Sequence, residues 1–396
     1  MPTGPTPDGL ATVRSIDQLT GDPQDFVARS WGSRMHLHRG DVDCLGALLT
    51  LADVDHLTTA TAIRTPSVRL ARNGSVLATS CFTRRASLAG APLTGLVDPR
   101  RLLAEFDDGA TIILQGLQRS WPPITDLVAG LERDLGHAGQ ANAYLTPPDA
   151  RGFALHADSH DVFVVQTHGR KHWEVHDDDA DGDGDGVQEL VLEPGDVLYL
   201  PTGTRHAAAT MGEASLHITV GIRTTTWRHV VDRALARVLD DMADLDAPLP
   251  AGWVNDTAPL SGPLREHVEQ VRDALSAHDL DTLVALEAER FLTTRPTRVA
   301  GGLVDRLAIA TLDDDTLVRR RAGHVAALRV DDDAVHLLLG DRRLTVPGWV
   351  RPALEGVLAR GDEAFRPGDL AEWLDGESRR VLVARLVREG LLTVQP

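Results

Sequence analysis

Between residues 141 and 223 the chain presents seven short strand-like stretches, ANAYL, FALHAD, DVFVVQT, KHWEVH, QELVLE, DVLYL and SLHITVGI, separated by turns containing Pro and Gly. Closely spaced strands of this kind predict a barrel or jelly roll. Helical periodicity dominates on either side. Before the strands, residues 26–140 mix apolar stretches with helix-like pieces such as the amphipathic ITDLVAGLERDLG at 124–136. After them come WRHVVDRALARVLDDMADL (227–245) and PLREHVEQVRDALSAHDLDTLVALEAERFL (263–292), which read as packing helices at a subunit interface. From about 301 the pattern is that of a smaller α/β unit. It has strand-like HVAALRV and AVHLLLG, helices over 350–359 and 377–389, and a last strand LLTVQ, an order that suggests a winged-helix-like module with a terminal hairpin. The expected class is therefore α+β, divided into a flexible tail (1–25), a barrel domain (26–225), a helical region at a subunit interface (226–300) and the winged-helix-like domain (301–396).

At 396 residues the chain suits two or three domains. No apolar run approaches the roughly 18 residues of a membrane span, and the N-terminal stretch lacks the basic-then-apolar order of a signal peptide. Both observations predict a cytoplasmic protein with no membrane partner. Cys44 and Cys81 are too few for a disulfide framework and are expected as small core residues. Acidic residues outnumber basic ones by 58 to 40, and the net charge of −18 repels nucleic-acid phosphates and favours basic partners. No direct DNA binding is expected; residues 301–396 alone hold 14 Arg against 16 Asp and Glu.

The run DDDADGDGDG at 177–186 has the acidic spacing of a calcium loop, but an EF-hand needs Glu at its twelfth position. Counted from Asp179 or Asp181, that position holds Leu190 or Leu192, and strands flank the run. A solvated hairpin loop is the expected reading.

His156 and Asp158 stand two apart in a strand-like stretch, which puts both side chains on one face with room for a shared ion. The segment GDVLYLPTGTRH carries Gly195, Pro201 and Gly203 in a tight turn that delivers His206 from a neighbouring strand. Two imidazoles and one carboxylate on one side of a metal leave three coordination positions open, the facial triad of non-haem Fe(II) oxygenases. Those positions accept a co-substrate and O₂. His160, His168, His172 and His176 are expected at the surface.

Lys171 is the only lysine among 40 cationic residues, so its position requires an ammonium rather than a guanidinium. Alternation in KHWEVH puts Lys171, Trp173 and Val175 opposite His172, Glu174 and His176. With Lys171 inside the barrel, its buried ammonium needs an anionic partner. The distal carboxylate of 2-oxoglutarate satisfies that need, with the Tyr144 hydroxyl as a second donor. No protein acid or base is required.

The segments NAYLTPPDARGFALHADSHDVFVVQTHGRKHW, LEPGDVLYLPTGTRH and SLHITVGI resemble the JmjC-type ribosomal oxygenases, 2-oxoglutarate-dependent hydroxylases of ribosomal proteins. WGSRMHLHR at 31–39 resembles the family's early segment. The resemblance implies a cupin/JmjC double-stranded β-helix followed by a helical dimerisation region and a winged helix. It implies His156, Asp158 and His206 as iron ligands, Lys171 and Tyr144 as holders of 2-oxoglutarate, and Asn142, His217 and Thr219 as further lining of that pocket. It also implies a homodimer that hydroxylates an arginine or a histidine of a ribosomal protein. Two other readings stand beside this one: the same chemistry on a peptide natural product or small molecule, and a catalytically silent binding or regulatory protein.

Overall fold

The computed structural model describes residues 16–150, 154–176, 186–321, 323–331 and 334–395. The described residues divide into two compact units, with the break at Thr224/Thr225. In the first, the strands are β1 (His36–Arg39), β2 (Val68–Arg72), β3 (Ser75–Val76), β4 (Thr83–Leu88), β5 (Ala91–Val97), β6 (Thr111–Gln115), β7 (Ala138–Thr146), β8 (His156–Ala157), β9 (Asp161–His168), β10 (Lys171–His176), β11 (Val187–Leu192), β12 (Asp196–Leu200), β13 (Arg205–Thr210) and β14 (Ser215–Arg223). Eight of them pair in the order β1-β12-β9-β14-β7-β6-β2-β3, and four in the order β11-β10-β13-β8. All described pairs in these two sheets are antiparallel. The two sheets face one another, as a cupin-like jelly roll requires.

Period-two alternation decides what each face meets. On β9, Val162 and Val164 turn inward and pack with Trp173, Val175, Leu192, Leu198 and Leu200, joining the two sheets. Their neighbours Phe163 and Val165 turn outward, onto a core shared with Leu216, Ile218, Val220 and Ile222 of β14 and with the helix Pro122–Leu135. Both faces of β9 are therefore buried, which is why DVFVVQT reads as a continuous apolar run. The helix begins at two prolines and ends where Gly136 takes the left-handed conformation, φ 69°. It buries Ile124, Leu127, Val128 and Leu131, a 3.6-period stripe. At about 1.5–3 kcal/mol per buried aliphatic side chain, that stripe contributes on the order of 6–12 kcal/mol as an upper bound.

Several expectations change. The tail does not extend to residue 25: Ile16–Thr20 and Pro23–Arg29 are helical, Leu19 and Phe26 are fully buried, and Asp22 caps the second helix. Cys81 is not a core residue; it is exposed in a single 3-10 turn, while Cys44 is half-buried. The acidic run at 177–185 lies outside the described residues. The flanking β10 and β11 pair antiparallel from Lys171↔Leu192 to His176↔Val187.

In the second unit the predicted helix over 263–292 is two, Ser261–Ala277 and Leu280–Thr293. His278 is extended, and the Asp279 carboxylate accepts from the Asp281 backbone N–H to start the next helix. The strand in LLTVQ, β19 (Leu392–Val394), pairs with β15 (Val318–Arg320) instead of closing a terminal hairpin. The meander of β16 (Ala327–Val330), β17 (Ala334–Leu338) and β18 (Arg343–Pro347) precedes the helices Arg351–Ala359 and Gly376–Arg388. No helix among the described residues is long and apolar enough to cross a membrane.

Candidate active site

His156 and His206 are direct cross-strand partners on β8 and β13, with ring centroids 4.5 Å apart. Asp158 follows just beyond β8, where the Gly203 backbone N–H donates to its carbonyl at 2.9 Å and ties it to the turn before His206. One donor atom from each of the three side chains lies within 4.8 Å of the others. Asp158 Oδ2 is 3.9 Å from His206 Nε2. Each imidazole uses Nδ1 to donate to a backbone carbonyl, His156 to Ala154 at 2.9 Å and His206 to Thr204 at 3.0 Å. That places each ring's lone pair on Nε2, the tautomer a metal needs. Burial, and after it the neighbouring His156, lower the His206 pKa, which keeps the ring neutral.

The triad sits at one end of a cavity of about 260 Å³ between the two sheets. Lys171, 3% exposed, lies deep inside it, with Nζ 3.4 Å from Thr146 Oγ1 and 3.4 Å from His217 Nδ1. Among the described residues no carboxylate comes within ion-pair distance of this ammonium, and burial pushes its pKa down to about 7. His217 is also buried, 4% exposed, and stacks on Tyr144 with centroids 4.9 Å apart and rings nearly parallel. Burial first, then the charge of Lys171, hold its pKa far below the usual imidazole range, so its Nδ1 accepts from Lys171. Burial raises the Tyr144 pKa, keeping the phenol a donor.

The cavity thus brings together seven of the eight residues expected from sequence: His156, Asp158, His206, Lys171, Tyr144, His217 and Thr219. Asn142 is the exception. It is not among the lining residues; its Oδ1 accepts from the Gly116 backbone N–H at 3.1 Å and its side chain bonds Tyr144. The alternation expected for β10 is present, with Lys171, Trp173 and Val175 buried and His172, Glu174 and His176 half-buried. The lining also includes Thr146, Thr111 and Arg69, which motif reading missed. Thr146 shares strand parity with Asn142 and Tyr144, a usable signal. Thr111 and Arg69 enter through the pairings β6–β7 and β2–β6, which no local pattern announces.

Residues 124–230 match the JmjC domain family. Over that part the chain is similar to JmjC ribosomal oxygenases. The Aedes aegypti bifunctional lysine-specific demethylase and histidyl-hydroxylase NO66 is 26% identical over 299 residues, 68% of this chain and 46% of that protein. Gallus gallus ribosomal oxygenase 1 is 28% identical over 235 residues, 55% of this chain and 38% of that one. The match therefore spans less than half the length of these relatives. The Escherichia coli ribosomal oxygenase YcfD superposes with a TM-score of 0.56 at 18% identity, over 96% of this chain and 99% of that chain. YcfD has also been solved with cobalt and 2-oxoglutarate, a structure to which this chain aligns with a TM-score of 0.53 at 18% identity, covering 96% of this chain and 99% of that one. At this identity the likeness is one of fold. The JmjC match spans β7 to β14, the segment that carries twelve of the cavity's fourteen lining residues, the triad among them.

Proposed function

We propose that this chain is an Fe(II)- and 2-oxoglutarate-dependent oxygenase that hydroxylates a side chain of a ribosomal protein. The observation that carries the reading is the pairing of a His-Asp-His cluster at one end of a cavity with a buried, uncompensated ammonium at the other. The donor set suits divalent iron: two neutral imidazoles and a carboxylate approach from one side and leave the cavity side open. The cobalt and 2-oxoglutarate held by YcfD support the same cofactor pair.

In this reading His156, Asp158 and His206 hold the metal, and Lys171, with the hydroxyls of Thr146 and Tyr144, binds the distal carboxylate of 2-oxoglutarate. Neutral His217 orients the ammonium and supports the Tyr144 ring. Val162, Val164 and Trp173 keep water from the middle of the cavity. When bound, Fe(II), 2-oxoglutarate and O₂ supply oxidative decarboxylation to succinate and CO₂ and the transfer of one oxygen into a C–H bond. The protein's contribution is placement of that bond. The ribosomal oxygenase relatives support a ribosomal protein as the target, an arginine or a histidine being the modified residue. The test is succinate formation by iron-loaded protein with a ribosomal protein fraction, followed by intact-mass analysis for one added oxygen. No turnover with any such fraction overturns the function.

We further propose that residues 226–300 dimerise the chain in the cytoplasm and that residues 301–396 form a winged-helix-like domain. Support for the dimer comes from apolar i,i+4 pairs left in the open. Trp227 and Val231 are 82% and 54% exposed on helix Trp227–Asp240, and Leu264 and Val268 are 62% and 59% exposed on helix Ser261–Ala277. Sedimentation of the wild type as a dimer, and of Trp227→Asp/Val231→Asp as a monomer, is the expected outcome.

A further inference from the structure

The net charge of −18 conceals a reversal. Residues 64–101 contain seven arginines, at 64, 69, 72, 84, 85, 100 and 101, and one acid, Asp98. This segment of net +6 builds β2, β3 and the hairpin of β4 and β5. On that hairpin Thr94 and Gly95 together oppose Arg85, a bulge made possible by Gly95 at φ 67°. A substituted Cβ there would fall 2.2 Å from Thr65 Oγ1. Arg84 and Arg85 then line one groove with Arg101, Ser87 and Thr94, a volume of about 860 Å³ that no acid borders. Both side chains are exposed, and among the described residues neither joins an ion pair. Arg101 is held in place by the Thr83 carbonyl at 3.1 Å and by Asp98 at 3.8 Å.

Two guanidiniums without an ion pair and a third beside Asp98, interleaved with hydroxyls, suit an extended polyanion, not the basic partner that the overall charge favours. Screening lets the local charge act: at about 0.1 M salt the Debye length is ~10 Å, so acids elsewhere on the surface are largely silent at the groove. The groove has no aromatic lining, which removes base stacking and leaves phosphate contact as the means of recognition.

We infer that the β4–β5 hairpin binds the phosphate backbone of RNA; the choice of RNA rests on the ribosomal-protein reading above. The measurement is fluorescence anisotropy of a labelled oligouridylate with the full chain, across a salt series. Three phosphate contacts predict an affinity that falls about 20-fold between ~50 and ~200 mM salt, since the logarithmic slope is about −0.7 per contact for single strands. Arg84→Ser/Arg85→Ser should bind much more weakly and lose only about 3-fold over the same range, while its 2-oxoglutarate binding stays at the wild-type level. Absence of binding, a salt-independent affinity, or an unchanged double variant overturns the inference. So does equal or tighter binding of duplex DNA, of a phosphoserine peptide, or of anionic vesicles. RNA binding is read without turnover, so a chain that forms succinate but ignores RNA sinks this inference alone, and the converse sinks only the enzymatic reading.

Discussion

Raising the pH above 7 should weaken 2-oxoglutarate binding through a single group. In the empty cavity the Lys171 pKa is pushed down to about 7 by burial, from an ordinary 10.5. A carboxylate seated against Nζ favours the ammonium and raises that pKa again. Above pH 7 the empty site is therefore mostly neutral and the occupied site mostly charged, so binding takes up a proton and affinity falls as pH rises. With the empty-site value at about 7 and the occupied site still charged at pH 9, the apparent Kd rises about 50-fold between pH 7 and pH 9, roughly 1.4 kcal/mol per unit once clear of the lower pKa. The other groups facing this site are silent in that window. His217 and His206 are held neutral by pKa values lowered through burial, and Tyr144 keeps its proton because burial raises its pKa.

The assay is calorimetry with a redox-inert divalent metal at fixed concentration, run in two buffers of different ionisation enthalpy. Close to one proton absorbed per ligand at pH 8 is expected. Lys171→Arg should abolish the pH dependence, because guanidinium does not titrate, while weakening binding by poor fit. A flat affinity from pH 7 to 9 with no proton uptake would remove Lys171 from the carboxylate site. The same group acts oppositely on folding. Between about 7 and 10.5 the unfolded chain holds a proton that the empty folded site has lost, so unfolding takes one up and stability of the ligand-free protein rises with pH.

Asp158→Ala and His206→Ala should each bring succinate formation to background and remove metal-dependent thermal stabilisation; retained metal binding in either variant would contradict the assignment. Trp173→Ala empties the centre of the inter-sheet core, where the indole is 4% exposed, and should cost about 3–5 kcal/mol in denaturant unfolding. Gly169 has φ 63°, and an added Cβ would lie 2.1 Å from the Ala214 carbonyl oxygen, so Gly169→Ala should destabilise by about 1–3 kcal/mol or more, read as a lowered Tm.

What the sequence made legible follows the range of the forces involved. His156, Asp158 and His206 could be found because strand parity and one tight turn, both local, set their geometry. Lys171 was conspicuous because it is the only lysine and because KHWEVH alternates cleanly. β13, RHAAAT, carries His206 on the neighbouring strand expected after the turn but is not among the seven strand-like stretches, since its alanines carry little strand preference and its place is fixed by pairing with β8 and β10. Arg69 and Thr111 reach the cavity through sheet neighbours 30 or more residues from the motif. The N-terminal helices were hidden by Pro- and Gly-rich flanks, whereas their stability comes from burying Leu19 and Phe26 against distant strands. The pairing of β19 with β15 spans more than 70 residues and has no local sign.

Within the cavity the triad includes the more exposed residues, and Lys171 with His217 the more buried ones. His156 is exposed, the Asp158 side chain is 33% exposed and that of His206 7%, while Lys171 and His217 lie at 3% and 4%. On the proposed reading, a carboxylate held at Lys171 lies against more buried residues than His156 and Asp158, which are the ones left open to a polypeptide. The buried end is charged only weakly near neutral pH until an anion arrives, so the site becomes fully cationic as it fills. On the proposed reading the deep anchor serves the co-substrate and the more exposed residues the macromolecule, and Arg69, half-buried in the same lining with no ion pair to a carboxylate among the described residues, adds positive charge to the cavity. An anionic co-substrate is drawn in by that field, whereas a cationic target side chain reaches the rim against it until the carboxylates are in place.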